Sequence, residues 1–245
     1  MGAGSEATSK LELIMGREGL ERLAASTVMV LGLGGVGSNC VEALARGGVG
    51  RLIVVDHDVV QASNINRQAI AFYSTIGQKK TEVVRGMVAD INPEAHVHAH
   101  DTFVLSENLS ELVGAYHGQL DYVVDAIDTI STKLALAEWA DREGIQFISS
   151  MGAANKLHPE CFRIADVSKT VNCPLSRIMR KEARKRGIRH LRVLYSCEQP
   201  VKVPVREGAG RRERSNLGTA SFVPPIMGQM IAGEVIRTLS GAGSD

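Results

Sequence analysis

The chain has 245 residues, a formal net charge of +1 and an apolar fraction of 44%. These values exclude a disordered polymer and a uniformly basic nucleic-acid coat, and they leave room for one large core or two small ones. With a single tryptophan and 4% aromatic residues, that core must rest on Val, Ile, Leu and Ala.

Met1 to Thr8 are small and polar and read as a frayed terminus. Thr27–Leu31 is a short β-branched run ending at a glycine, the pattern of a buried strand. Ser38–Ala45 follows as a helix and Leu52–Val55 as a second strand ending at Asp56, which completes a βαβ unit. Lys79–Ile91 has helical spacing and stops at Asn92-Pro93. Tyr122–Ala126 reads as a strand, Ser131–Glu143 as a helix closed by Gly144, and Gln146–Ser149 as a further strand. Alternation of this kind predicts a parallel sheet covered by helices on both faces. Beyond Met151 the pattern loosens. Cys161–Ala165 and Leu191–Tyr195 are expected to add strands at one edge, with a basic helix over Pro174–Arg186 between them. Residues 199–216 carry Pro, Gly and a run of arginines and read as a long mobile loop. Phe222–Leu239 is apolar but interrupted by Pro224, Pro225, Glu234 and Arg237, so a docked helix is expected rather than a membrane span. The expectation is one domain over 9–240, with an ATP-binding half at 9–150 and a substrate-side extension at 151–240.

Cys40, Cys161, Cys173 and Cys197 form no C-x-x-C pair, so a zinc ribbon is not indicated. Scattered cysteines without a signal peptide read as reduced thiols in the cytoplasm. His96, His98 and His100 alternate, as along one face of a strand.

The chemistry concentrates between residues 28 and 128. Gly32-Leu33-Gly34-Gly35-Val36-Gly37 after a strand permits a tight turn, close phosphate approach at Gly34 and helix packing at Gly37. The following helix N-terminus suits phosphate oxygens. Asp56, about twenty residues on, is placed for ribose hydroxyls. Asn64, Asn66, Arg67 and Gln68 offer a fork of donors and neutral amides, and Lys80 adds a point charge. Asp125 and Asp128 close a strand at the edge where α/β sheets bind ligands, and a carboxylate there could hold the magnesium that accompanies ATP. A hydride-transfer enzyme usually needs a second, substrate-binding domain, for which about 100 residues after Ser150 are a tight allowance.

These motifs together resemble the ThiF/MoeB/HesA family, bacterial relatives of the ubiquitin-activating enzymes. The elements that carry the likeness are Gly32 to Ser38, Asp56 with Asp58, Ser63 to Gln68, Gly77 to Lys80, and Asp125 to Asp128. The resemblance implies a Rossmann-like α/β fold and adenylation of a carboxylate. It assigns Gly32, Gly34, Gly35, Gly37, Asp56, Asp58, Asn64, Arg67, Gln68 and Lys80 to ATP, with Arg67, Lys80 and Asp128 catalytic and Asp128 the magnesium ligand. It also implies a homodimer in which a basic residue reaches the partner's phosphates. Here that residue is Lys10 where the family has arginine, which keeps the charge and loses the fork.

Within the family the closer likeness is to the tRNA-modifying branch, on Ile91 to Glu94, Ser149 to Ala153, Ala165 to Thr170, Cys173 to Leu175 and Ser221 to Pro225. That branch implies ATP-dependent dehydration of threonylcarbamoyladenosine in tRNA through an acyl adenylate, with a sulfur-relay protein as a further partner. The alternative is activation of a ubiquitin-like sulfur carrier, against which the missing zinc cysteines argue. Arg177, Arg180, Lys181, Arg184 and Lys185 are the candidate tRNA contacts, assisted by Arg211, Arg212 and Arg214. Cys173, near Lys169 and a helix start, is a candidate reactive thiol beside a packed alternative.

Overall fold

The computed structural model describes residues 6–202 and 217–242. Most of the expected 199–216 loop, including Arg211, Arg212 and Arg214, and Met1 to Ser5 of the expected frayed terminus, lie outside the described residues. In chain order the elements are α1 (Ser9–Ala25), β1 (Thr27–Leu31), α2 (Gly35–Arg46), β2 (Arg51–Asp56), α3 (Lys80–Ile91), β3 (His96–Asp101), α4 (Ser106–Gly114), β4 (Tyr122–Asp125), α5 (Ile130–Glu143), β5 (Gln146–Ser150), β6 (Phe162–Asp166), α6 (Pro174–Lys185), β7 (Arg192–Ser196) and α7 (Val223–Ser240). Each strand expected as such from sequence is present to within one residue.

One seven-stranded sheet runs in the order β3-β2-β1-β4-β5-β7-β6. Every pairing is parallel except β6 with β7, so the extension beyond residue 150 adds its strands to the first sheet's edge. The period of two along each strand divides the core. Val28, Val30, Leu52 and Val54 face a layer built with α2 and α7, while Met29, Leu31, Ile53 and Val55 face the layer of α4, α5 and α6. Burial on both faces explains why β1, β2 and β4 read as continuous apolar runs rather than alternating ones.

Two elements were not expected from sequence, and a third, the segment whose alternating histidines read as one strand face, joins the sheet as a strand. Ser9–Ala25 is helical, kinked at Gly16, and docks on α7, where Arg22 Nε donates to the Ser240 carbonyl at 2.9 Å. α4 is a short helix that the polar pattern did not declare. His96–Asp101 is the parallel edge strand β3, paired with β2 from Arg51–His96 to Asp56–Asp101. No helix among the described residues is long and apolar enough to cross a membrane.

Candidate active site

The carboxyl ends of β1, β2 and β4 meet where the winding direction of the sheet reverses, the position at which open α/β sheets bind ligands. A cleft of roughly 360 Å³ lies there. Its floor is the glycine turn. Gly32 has φ +89°, and a Cβ on it would fall 2.7 Å from the Ala126 carbonyl oxygen. A Cβ on Gly37 would fall 1.7 Å from the Gly32 oxygen, so only glycine lets α2 start against the turn. Gly34 differs: its nearest neighbour would be Gln68 Nε2 at 4.0 Å, and its free side faces the cleft. The first-turn N–H groups of α2, which have no intrahelical partner, lie beside that space.

The polar wall follows. Asp56 is buried, and its carboxylate accepts the N–H of Leu33 at 2.6 Å and of Asp58 at 2.8 Å. One residue therefore fixes the glycine turn and lines the cleft. Lys80 is 5% exposed; its ammonium donates to Asp58 at 2.7 Å and stands 3.8 Å from Asp56. Burial acts to raise the Asp58 pKa, but the Lys80 hydrogen bond and charge, with His57, outweigh it and hold the carboxyl below its ordinary value. The His57 ring meets Phe103 edge-on at 4.2 Å and builds the cleft's apolar side with Val104 and Ile127.

Arg67 lays its stem over Gly35 and donates from Nη1 to the Ser63 carbonyl and the Asn66 amide oxygen, at 3.0 and 2.8 Å. No carboxylate pairs with it among the described residues, so its charge is available to an anionic ligand. Asn64 is buried and closes its own turn by accepting the Gln61 N–H. Gln68 Oε1 is buried with no partner among the described residues, an acceptor awaiting a donor. Asp128 lines the opposite rim, exposed, with only the Thr129 hydroxyl at 3.4 Å.

Asp125 departs from its expected role as an alternative metal ligand. It is fully buried; Oδ2 accepts from Lys133 Nζ at 3.0 Å and from the Ser149 hydroxyl at 2.7 Å, and Oδ1 accepts the Ile127 N–H at 3.1 Å. Its charge is compensated by lysine, which leaves Asp128 as the rim carboxylate. Lys133 also donates to the Ser150 carbonyl at 2.8 Å, joining the ends of β4 and β5 beneath the cleft. Sequence reading missed Lys133. The signal was its place on the apolar stripe of α5, with Leu136, Ala137 and Ala140, all buried.

The remaining expected residues lie apart. Arg177, Arg180, Lys181, Arg184 and Lys185 line one concave face of α6. Arg180 is anchored by donating to the Thr170 carbonyl at 2.8 Å, and Lys185 pairs with Glu182 at 2.8 Å. Cys173 is buried and caps α6, its sulfur accepting the Ser176 N–H at 3.4 Å. Lys10 is exposed on α1 and does not line the cleft of its own chain.

The profile of the ThiF family matches residues 7–245. The chain is 43% identical over 240 residues to the tRNA threonylcarbamoyladenosine dehydratase of Bacillus subtilis, covering 94% of this chain and 93% of that one. It is 43% identical over 168 residues to the enzyme of the same name from Haemophilus influenzae, over 69% of this chain and 63% of that protein. The structure of E. coli tRNA N6-threonylcarbamoyladenosine dehydratase, TcdA, in complex with ATP superposes with a TM-score of 0.88 at 26% identity, covering all of this chain and 98% of that one.

Proposed function

This chain belongs to the ThiF family, and we propose that it is an ATP-dependent dehydratase acting on threonylcarbamoyladenosine in tRNA. One observation carries this reading: the likeness to the Bacillus dehydratase spans the substrate-side half as well as the nucleotide half.

A carboxylate is a poor electrophile because its leaving group would be oxide. The threonyl carboxylate of the modified tRNA attacks the α-phosphorus of ATP, the α–β bridging P–O bond breaks, and pyrophosphate leaves. An atom of the carbamoyl group then attacks the acyl carbon and AMP leaves, closing the ring. The oxygen lost from the nucleoside departs on AMP, so the net change is loss of one water. The nucleophile is intramolecular, so no protein thioester is required.

The residues divide the work. Gly34 and the start of α2 cradle phosphate, and Arg67 and Asn64 face the β- and γ-phosphates. Lys80, already desolvated, stabilises charge at the α-phosphate, and Asp58 holds it in position. Asp56 and the Gln68 oxygen, which has no partner among the described residues, accept from nucleoside donors. The exposed Asp128 carboxylate, without a competing cation among the described residues, suits a hard ion with oxygen ligands. Magnesium held there would neutralise phosphate charge. The basic face of α6 takes the tRNA backbone. In a homodimer, Lys10 would serve the partner's cleft, and its helix carries the exposed Leu13 and Ile14 as contact surface. The free cysteines fit a reducing cytoplasm, where a sulfur-relay protein would be a further partner.

The test is mass spectrometry of nucleosides after threonylcarbamoylated tRNA is incubated with ATP and the protein. Loss of one water from the modified nucleoside is expected, with AMP and pyrophosphate formed. An unchanged nucleoside, with ATP–pyrophosphate exchange seen only when a small carrier protein is supplied, would overturn the reading.

A further inference from the structure

Away from the cleft, the antiparallel pair β6–β7 opens onto two cysteines. Phe162 lies opposite Ser196, so the next opposed pair is Cys161 and Cys197, and the Cys197 N–H donates to the Cys161 carbonyl at 3.0 Å. Directly opposed residues of antiparallel strands stand about 4.5–5.5 Å apart at Cα, within the roughly 4.4–6.8 Å that a disulfide spans. Their side chains leave the sheet on the same face. Both thiols are free and half-buried. Burial, and then the adjacent Cys197 thiol, hold Cys161 above its ordinary pKa. The other cysteines are placed differently: Cys40 is buried within α2 and its pKa is raised by that burial, and Cys173 is packed as the α6 cap.

The pair stands at the root of the cleft's substrate-side wall. The Cys197 carbonyl accepts from the Asn172 amide at 2.9 Å. Glu198, next in sequence and buried, accepts the N–H groups of Leu157 and His158 at 3.1 Å, and its carbonyl takes the Lys156 ammonium. Asn155, one residue before that lysine, pairs with Val201 and Gly218. Ala153 and Thr219, which flank this cluster, line the cleft. Asn155 and Asn172 are the described non-glycine residues with positive φ, +56° and +55°, the left-handed region that asparagine tolerates, so two of the turns bonded to this cluster are tightly defined.

We propose that Cys161 and Cys197 form an oxidisable dithiol, a modification site that reacts with a small-molecule disulfide and sets the substrate-side wall of the cleft. One thiolate attacks the reagent's S–S bond and expels a thiolate, giving a mixed disulfide. The second cysteine sulfur attacks that bond, the protein disulfide forms, and a second reagent thiolate leaves. The two cysteine protons end on the two reagent thiols, and two electrons pass to the reagent. The new covalent link ties the strand ends that carry Glu198 and the 155–158 loop.

The bond is independent of the proposed dehydratase activity; its effect on turnover rests on that reading. The experiment incubates the full reduced chain with oxidised glutathione, then alkylates it unfolded and maps the peptides. Loss of two hydrogens and one peptide joining Cys161 to Cys197 are expected, with Cys40 and Cys173 alkylated. tRNA dehydration should fall several-fold and return with dithiothreitol, while the ATP-induced shift in Tm persists. Cys161→Ser should neither link nor respond. Glutathione retained on either cysteine, a link to Cys40 or Cys173, or no oxidation would overturn the dithiol. A linked protein with full turnover would overturn the coupling to the cleft. If the reduced chain dehydrates no tRNA, the functional reading fails while the peptide map still decides the dithiol.

Discussion

Lys133 and Asp125 form a fully buried ion pair whose other hydrogen-bonding capacity is met by Ser149, Ser150 and Ile127. Removing one partner strands the other charge, which costs about 3–5 kcal/mol. Lys133→Met should therefore lower stability in urea by that amount, and Asp125→Asn with Lys133→Met should recover most of it. A single variant as stable as the parent would refute the pairing. Arg67 and Asp128 contribute in the opposite way. Neither has an oppositely charged partner among the described residues, so Arg67→Ala and Asp128→Ala should leave Tm nearly unchanged while abolishing AMP formation. Near-normal turnover by either would contradict its role. Asp58 belongs to both classes, since burial is outweighed by the Lys80 hydrogen bond and charge, which hold its pKa below the ordinary value. Its pairing stabilises the fold at neutral pH, and that contribution is lost as pH falls below the unfolded value and through the folded one. Thermal melts from pH 7 to 3 should show Asp58→Asn with a shallower acid decline than the parent; identical slopes would remove Lys80–Asp58 as its source. At this scale Arg67, Lys80 and Asp128 were legible in sequence because they stand in turns and at element ends. Lys133 was not, because a lysine on a helix is ordinarily read as solvated.

Elements were legible where their own composition decides them. β1 and β2 are β-branched runs that end at Gly32 and Asp56, and α5 ends at Gly144 in the left-handed conformation. β3 has little strand propensity of its own; pairing with β2 makes it a strand. α1 contains Gly16 and Gly19 and exposes Leu13 and Ile14, so its helix rests on docking against α7, where Gly19 closes on Ser240. α6 was legible and is the element with a testable electrostatic role. Residues 177, 181 and 184 recur at helical spacing, so their charges share one face, and all are exposed. Removing one phosphate-bound cation should reduce the slope of log affinity against log salt by about 0.7–0.9. Arg177→Ala with Lys181→Ala and Arg184→Ala should thus weaken tRNA binding and flatten its salt dependence, with ATP binding unchanged. An unaltered salt slope would remove α6 from the tRNA interface.

At the scale of the whole molecule, the two halves expected from sequence share one sheet. β5 passes hydrogen bonds to β7, and α7, which follows the substrate-side strands, returns to pack on α2 and α1 of the nucleotide half. Pro224 at the start of α7 sits where a Cβ on Gly35 would strike it, at 2.7 Å, so the carboxyl-terminal helix closes against the phosphate turn itself. Halves joined in this way are expected to unfold as one unit. Thermal unfolding followed separately by far-UV circular dichroism and by the fluorescence of Trp139, which is buried on α5, should give coincident single transitions. Because ATP binds only the folded chain, it should raise both together, by about 2.7 kcal/mol of stability at 100 times its dissociation constant. Two transitions, with ATP moving only the first, would show that the substrate-side strands form a separate unit and that the shared sheet does not couple the halves.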